Sequence, residues 1–272
     1  MFRFGAKDRL LAGFILLLSG VGLLVLVGPI VVVLVTSLTT SLALRFPPPG
    51  LTLRWYFELF DPVRSAQIHR AAGNSLLVAS LVAVICTVLA TAAALALARS
   101  RAVWARAAEG AFLAPLVLPG IAYGLAALML FSWLRLPPSF WLLVAGHAVL
   151  ATPFVLRTVG ASVSGLDPAL LDASAALGAS PWRTFRRVVL PLIMPGVAAG
   201  AFLAFVSSLD NVPVSLFLSS AATDMLPIRM WGMMETSLDV RVAAVSGVLV
   251  VVAFVLLVVM DRAVGLVRRI AG

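Results

Sequence analysis

Residues 10–44 carry no charged side chain. A hydrocarbon layer about 30 Å thick needs roughly 20 apolar helical residues to cross it, and a run of this length meets that need with room to spare. The same reading repeats along the chain when charges are taken as boundary posts. Spans are predicted at 10–36, 74–98, 110–134, 138–157, 191–218 and 242–261. Composition agrees, with 62% hydrophobic and 11% charged residues and a mean hydropathy of +1.12. Soluble domains carry about 25% charged residues, so this chain lacks the polar surface to fold in water. The predicted class is all-α: one polytopic membrane domain over 1–272 with six transmembrane helices. A basic start (Arg3, Lys7, Arg9) and Ser41-Leu42-Ala43 loosely resemble a cleaved signal, but the apolar run far exceeds a 7–15-residue signal core. The first span is expected to be a retained anchor.

Orientation follows the distribution of Lys and Arg. Thirteen of the 20 fall in the N-terminus, the 99–109 segment, the 157–190 loop and the C-terminus, against seven in the opposite loops. Both termini are therefore expected in the cytoplasm. Trp55, Tyr56 and Phe57, in the first outer loop, suit either an interfacial aromatic anchor or packing of a short amphipathic helix.

The net charge of +9 comes as scattered ones, twos and threes between apolar runs, which is topology and not a nucleic-acid face. One cysteine (Cys86) and two histidines (His69, His147) exclude a disulfide framework and a Cys/His metal cage. The sole lysine, Lys7, precludes a phosphate-binding G-x-x-x-x-G-K-[ST] loop, and neither H-E-x-x-H nor G-x-S-x-G occurs. Gly160-Ala161-Ser162 with His147 would make a serine dyad only if both stood at one level of the membrane, and the serine lies at the loop end. His147 reads as a buried, hydrogen-bonded histidine. No catalytic residue, metal site or bound cofactor is expected in this chain.

The 158–190 loop carries the most local information. Asp167 suits an N-cap and Pro168 the first helical position, Gly178 a helix stop, and Ser180 a second N-cap with Pro181 following. Two short helices are predicted, the second over about 181–188. The first has a small face of Ala173, Ser174 and Ala176. The second has an apolar stripe, Trp182, Phe185 and Val189, with Arg183, Arg186 and Arg187 around it. So short a pair is not stable alone in water and needs something to dock into.

The run Asp172-Ala173-Ser174-x3-Gly178-x9-Val188-x-Leu190-Pro191 resembles the EAA loop of bacterial ABC-importer permeases, Glu-Ala-Ala, three residues, Gly, nine residues, Ile-x-Leu-Pro. Asp replaces Glu, Ser replaces Ala and Val replaces Ile. Over about 74–262 the chain is similar to that family. Asn74-Ser75-Leu76, Pro115-Leu-Val-Leu-Pro119-Gly120, Phe205-x4-Asp210-Asn211 and Leu226-Pro227-Ile228-x-Met230-Trp231 most resemble its spermidine/putrescine subgroup.

The resemblance implies a multi-pass inner-membrane permease forming half a translocation pathway. It implies a second, related permease, two ATPase subunits that bind ATP and Mg, an extracytoplasmic solute-binding protein, and no nucleic-acid partner. It implies a coupling loop between the fourth and fifth helices, with Asp172, Ala173, Ser174, Gly178, Ser180, Pro181, Trp182, Arg183, Phe185 and Arg186 as ATPase-coupling residues. A polyamine is the favoured solute, and relatives carry thiamine, ferric iron, amino-acid-like or phosphonate compounds.

Four residues are candidates for the solute pathway: Asp210, Asn211, Tyr123 and Pro119. Asp210 is the one acid inside an apolar span, a position that costs about 2.5–3.5 kcal/mol on insertion scales and so must face protein or water. A structural role at a broken helix suits it equally. Pro119-Gly120 interrupts the third span, and Tyr123 is expected to face as Pro119 does. Gly120-x3-Gly124 and Gly196-x3-Gly200 permit close helix crossings. A stand-alone secondary transporter would be expected to show inverted repeats and a midplane ion site, and no repeat relates residues 1–136 to 137–272. A membrane scaffold would need neither the interrupted third span nor Asp210.

Overall fold

The computed structural model describes residues 6–100, 102–237 and 239–271, so Arg3 and Arg101, which count toward the predicted orientation, lie outside the described residues. The helices are α1 (Ala6–Thr36), α2 (Arg54–Phe60), α3 (Ala66–Arg99), α4 (Val103–Leu113), α5 (Gly120–Trp133), α6 (Phe140–Ser164), α7 (Pro168–Ala176), α8 (Pro181–Thr184), α9 (Leu190–Leu209), α10 (Val212–Leu218), α11 (Leu226–Ser237) and α12 (Arg241–Ala271). Among the described residues, five helices are long and apolar enough to cross a membrane, six if α4 and α5 together make one broken span.

Three sequence expectations change here. The third apolar stretch is not one kinked helix over 110–134: α4 begins at Val103, and it meets α5 at 108°. Pro115 and Pro119 explain the break, because a proline ring clashes with the preceding turn and donates no hydrogen bond. Pro119 serves instead as the N-cap of α5. The fifth stretch does not run unbroken to 218, since α9 ends at Leu209 and α10 starts at Val212. The segment 219–241, expected to be loop, carries a 3₁₀ turn at Ala221–Thr223 and the twelve-residue α11.

The chain divides into two compact units. The first comprises Met1–Ala66 and Gly232–Phe254. Within it the apolar window of α1 has no buried residue, and only the end of the helix, residues 33–36, is covered within the unit. The uncovered apolar stretch before that end belongs in lipid or against another subunit. The 39–60 segment is held by hydrogen bonds to α1 and its exit. The Trp55 indole donates to the Thr39 carbonyl at 2.7 Å, and the Tyr56 hydroxyl lies 2.8 Å from Ser37 Oγ. Trp55 is 6% exposed, whereas Phe57 is 74% exposed. Packing therefore accounts for Trp55 and Tyr56, and only Phe57 turns outward. Before α12, Asp239 pairs with Arg241 at 2.6 Å. Burial pushes the Asp239 carboxyl up, but the Arg241 bonds outweigh it and hold the group below the ordinary carboxylate range.

The second unit, Gln67–Trp231 with Val255–Gly272, holds the core and every candidate site residue. Its centre is the packing of α6 against α9. A Cβ at Gly196 would lie 2.6 Å from the Thr158 carbonyl oxygen, and one at Gly200 would lie 2.9 Å from Val155 Cα. Only hydrogen fits there, which is the close crossing that small residues provide between membrane helices. Around it Val155, Val159, Val189, Ile193 and Ala204 are buried. A second close approach brings α10 onto α5, where a Cβ on Gly124 would stand 2.8 Å from the Pro213 carbonyl oxygen. The loop before α11 is tied to α3: Asn74 Nδ2 donates to the Asp224 carbonyl at 2.9 Å, and Ser75 Oγ accepts from the Leu226 amide at 2.8 Å.

Candidate coupling loop and pathway residues

The Asp167 side chain accepts from the Ala169 amide at 2.9 Å and so caps α7, with Pro168 at its first position. At the other end the Ala179 amide reaches the Ser174 carbonyl at 3.1 Å and the Gly178 amide reaches the Ala175 carbonyl at 2.9 Å. That pair of bonds is a Schellman motif, which requires a left-handed residue at the position Gly178 occupies. Its φ is +71°, where a side chain is strained. Ser180 then caps α8 by accepting from the Arg183 amide at 3.4 Å. The two short helices are pinned to each other by Ser174 Oγ and Thr184 Oγ1, 2.8 Å apart. The partner role of Thr184 has no local sequence signal.

The second predicted helix is not a separate element. Residues Phe185–Val189 form a π-helical turn that carries α8 directly into α9, so Pro181–Leu209 is one helix of 29 residues. Pro191 supplies a reason. It cannot donate to the carbonyl of Arg187 and its ring crowds that carbonyl, and a widened turn just before it relieves the clash.

The loop closes its backbone internally and turns its side chains out. Leu177 is 88% exposed and Trp182 67%, and Pro181, Arg183, Arg186, Arg187, Asp172 and Ala173 are exposed as well. The expected stripe divides: Val189 is buried and Phe185 half-buried against the core, while Trp182 stacks at 5.5 Å on Phe185 and faces away. Of the small face, Ser174 is buried and Ala173 and Ala176 stay open. Leu177, not singled out in the sequence, is the most exposed apolar residue of the loop.

The pathway candidates separate. Asp210 ends α9, is exposed, and its carboxylate has no ion-pair partner among the described residues. Asn211 has a structural task, because its Oδ1 accepts from the Val214 amide at 2.9 Å and caps α10. Tyr123 does not open onto the Pro119 side alone, for its hydroxyl donates to the Gly146 carbonyl at 3.0 Å and ties α5 to α6. Pro119 is exposed at the α4–α5 bend.

His147, read from sequence as a buried, bonded histidine, has a more particular place. It is 1% exposed, with Nδ1 3.0 Å from Ser208 Oγ and Nε2 3.3 Å from Ser215 Oγ. Ser208 precedes the Asp210–Asn211 break and Ser215 follows it. One imidazole on α6 therefore clamps both sides of the interrupted fifth stretch.

Multiple apolar helices, a broken third and fifth stretch, and a self-capped loop of outward side chains are the features of a multi-pass membrane protein. The chain belongs to the family of binding-protein-dependent transport system inner membrane components, which it matches over residues 87–269. It is a multi-pass inner-membrane protein and an ABC-importer permease by that membership. It is 32% identical over 232 residues to the spermidine/putrescine transport system permease protein PotC of Escherichia coli (strain K12), covering 85% of this chain and 86% of that protein. It is 31% identical over 230 residues to the putrescine transport system permease protein PotI of the same organism, covering 79% of each. In fold it is similar to a chain of a bacterial ABC transporter involved in the import of the acidic polysaccharide alginate, with a TM-score of 0.70 at 17% identity over 98% of this chain and 97% of that one.

Proposed function

We propose that this permease carries a small polycationic solute of the spermidine/putrescine class and is driven by separate ATPase subunits that dock on the 157–191 loop. Two ATPases, a second permease completing the pathway and an extracytoplasmic solute-binding protein make up the assembly, with both termini of this chain in the cytoplasm. ATP and Mg belong to the ATPases, and this chain contributes no residue to hydrolysis.

The observation that carries the reading is the continuity of Pro181–Leu209. At 1.5 Å per residue this helix is about 43 Å long, enough to run from a docking surface through a membrane. Contact at Leu177, Trp182 and the surrounding arginines loads one end of this helical lever. Gly196 and Gly200 seat the lever on α6, and His147 carries α10 with it across the break. A push can shift a conformational equilibrium only through contacts that differ between states. The outward face around Gly178 and Trp182 provides such contacts, and the π-helical turn at Phe185–Val189 is the compliant element between docking end and lever. At the far end the unpaired carboxylate of Asp210 meets a cationic solute. The names of the two relatives favour polyamines over the other solutes of the family.

The test is uptake of labelled spermidine and putrescine into proteoliposomes holding the complete complex, with unlabelled methionine and thiamine as competitors. Saturable, ATP-dependent polyamine uptake, lowered tenfold or more by Asp210→Asn, is expected. Uptake of another solute with no competition by spermidine overturns the polyamine assignment.

A further inference from the structure

Glu109 on α4 and Arg157 on α6 line one cavity of about 320 Å³, together with Leu97, Leu113, Leu156 and Ser164. Both charged side chains are exposed, and neither forms an ion pair with the other or with any other described residue. Two opposite charges that share a cavity without neutralising each other leave room for a ligand with both signs. A polycation would meet Arg157 and an anion would meet Glu109, so each is penalised by the like charge. Leu97, Leu113 and Leu156 give the cavity one aliphatic side, which suits an acyl chain, and Ser164 adds a hydroxyl.

The level of the cavity points the same way. Arg157 lies seventeen residues beyond the start of α6 at Phe140, or about 26 Å along the helix. The hydrocarbon layer is about 30 Å thick, so the cavity stands near the polar boundary on the side of the 157–190 loop. Ala98, also in its wall, adjoins Arg99 at the end of α3.

We propose that this cavity binds the headgroup of an aminophospholipid. The Arg157 guanidinium holds the phosphate by paired N–H donors. The Glu109 carboxylate accepts from the primary ammonium, and Leu97, Leu113 and Leu156 bed the proximal acyl chain. A trimethylated headgroup has no N–H to give Glu109, and phosphatidylglycerol has no cation. The ligand is therefore phosphatidylethanolamine-like, and the site uses none of the residues named above for the solute pathway or for ATPase coupling.

The experiment is native mass spectrometry of the intact complex, purified from nanodiscs containing equal parts phosphatidylethanolamine, phosphatidylcholine and phosphatidylglycerol. The wild type is expected to retain phosphatidylethanolamine at least tenfold over either of the others. Glu109→Gln brings the ethanolamine lipid to parity with the choline lipid, Glu109→Asp keeps the preference, and Arg157→Gln lowers retention of all three. Gly160→Leu, at a cavity-wall glycine with nothing within 4 Å of an added Cβ, fills the cavity without touching a charge and is expected to displace the lipid. Equal retention of the three lipids by the wild type overturns the proposal. So does a preference unchanged in both Glu109→Gln and Gly160→Leu, or binding of soluble phosphoethanolamine as tight as that of the lipid. Unchanged melting and elution profiles identify the variants whose result counts.

Discussion

Around Gly178 the polypeptide satisfies its own backbone with a Schellman motif, two side-chain caps and the Ser174–Thr184 pin, and its large side chains point away from the molecule. Around Asp210–Asn211, at the other end of the same lever, the break is closed by groups from elsewhere: His147 reaches Ser208 and Ser215, and α10 lies directly on Gly124. Both sites interrupt helices, yet the first leaves its large side chains free to meet a partner, while the second commits all but Asp210 to the fold. The difference teaches where substitution will damage the protein and where it will damage only communication. A buried polar group that loses its partners costs stability. An exposed side chain with few intramolecular contacts costs little to remove, and its value lies in association.

Substitutions sharpen the contrast, starting with the largest effect. Gly200→Val forces side-chain atoms into the Val155 backbone, and overpacking of this kind costs about 3 kcal/mol. Detergent-solubilised variant is expected to melt well below wild type or to aggregate, and an unchanged melting profile would refute the α6–α9 crossing. His147→Ala removes a buried ring and orphans two hydroxyls, a loss of roughly 2 kcal/mol. Ser208→Ala and Ser215→Ala each cost about 0.6 kcal/mol, the average for hydrogen bonds between membrane helices. If both serine variants matched the histidine variant in melting temperature, the clamp would be the wrong description.

Trp182→Ala sits on the other side of the comparison. Its stability is expected to stay within about 1 kcal/mol of wild type, the loss coming from the Phe185 ring contact. Affinity for the ATPase subunit, measured by titration against the reconstituted permease pair, is expected to fall about tenfold, or 1.4 kcal/mol. A stability loss without an affinity loss would put Trp182 in the structural group. The smallest effect concerns Asp239, in the other compact unit. Its folded pKa lies below the unfolded value, so its contribution is present above about pH 4 and is lost as pH falls through the lowered folded value. Arg241→Gln is expected to flatten the acid limb of the melting profile by less than about 1 kcal/mol.

Much of this was legible from charges and breakers. Arg70, Arg99 and Arg241 stand near helix ends because charges mark where an apolar run meets water, and Asp167, Gly178 and Ser180 act where their cap chemistry says. Arg157 does not mark an end, because α6 runs on to Ser164, past the predicted end of the fourth span at 157. What escaped were relations between distant residues. Ser75 caps a helix 151 positions away, and Thr184 becomes the partner of Ser174 only once both helices exist. The π-helical turn escaped because no residue type specifies it; it follows from Pro191 entering a continuous helix. The α11 helix escaped because Asp224, Arg229 and Glu235 interrupt its apolar character and read as loop. The burial of His147 is legible in the sequence, but its two partners flank a break that periodicity does not locate.

The central claim is that the loop around Gly178 transmits ATP-driven motion to the spans. The direct measurement is ATP hydrolysis and solute uptake in proteoliposomes carrying the complex co-purified through this chain, for wild type and Gly178→Val. The β-branched residue cannot hold φ near +71° without strain of about 1–2 kcal/mol, and it redirects Ser180–Trp182 while leaving the span packing intact. The account predicts that ATPase subunits co-purify with the wild type, and that the variant inserts and melts normally but loses ATP-driven uptake tenfold or more. An uptake that follows an ion gradient without an associated ATPase, or that is unchanged by Gly178→Val, would contradict it.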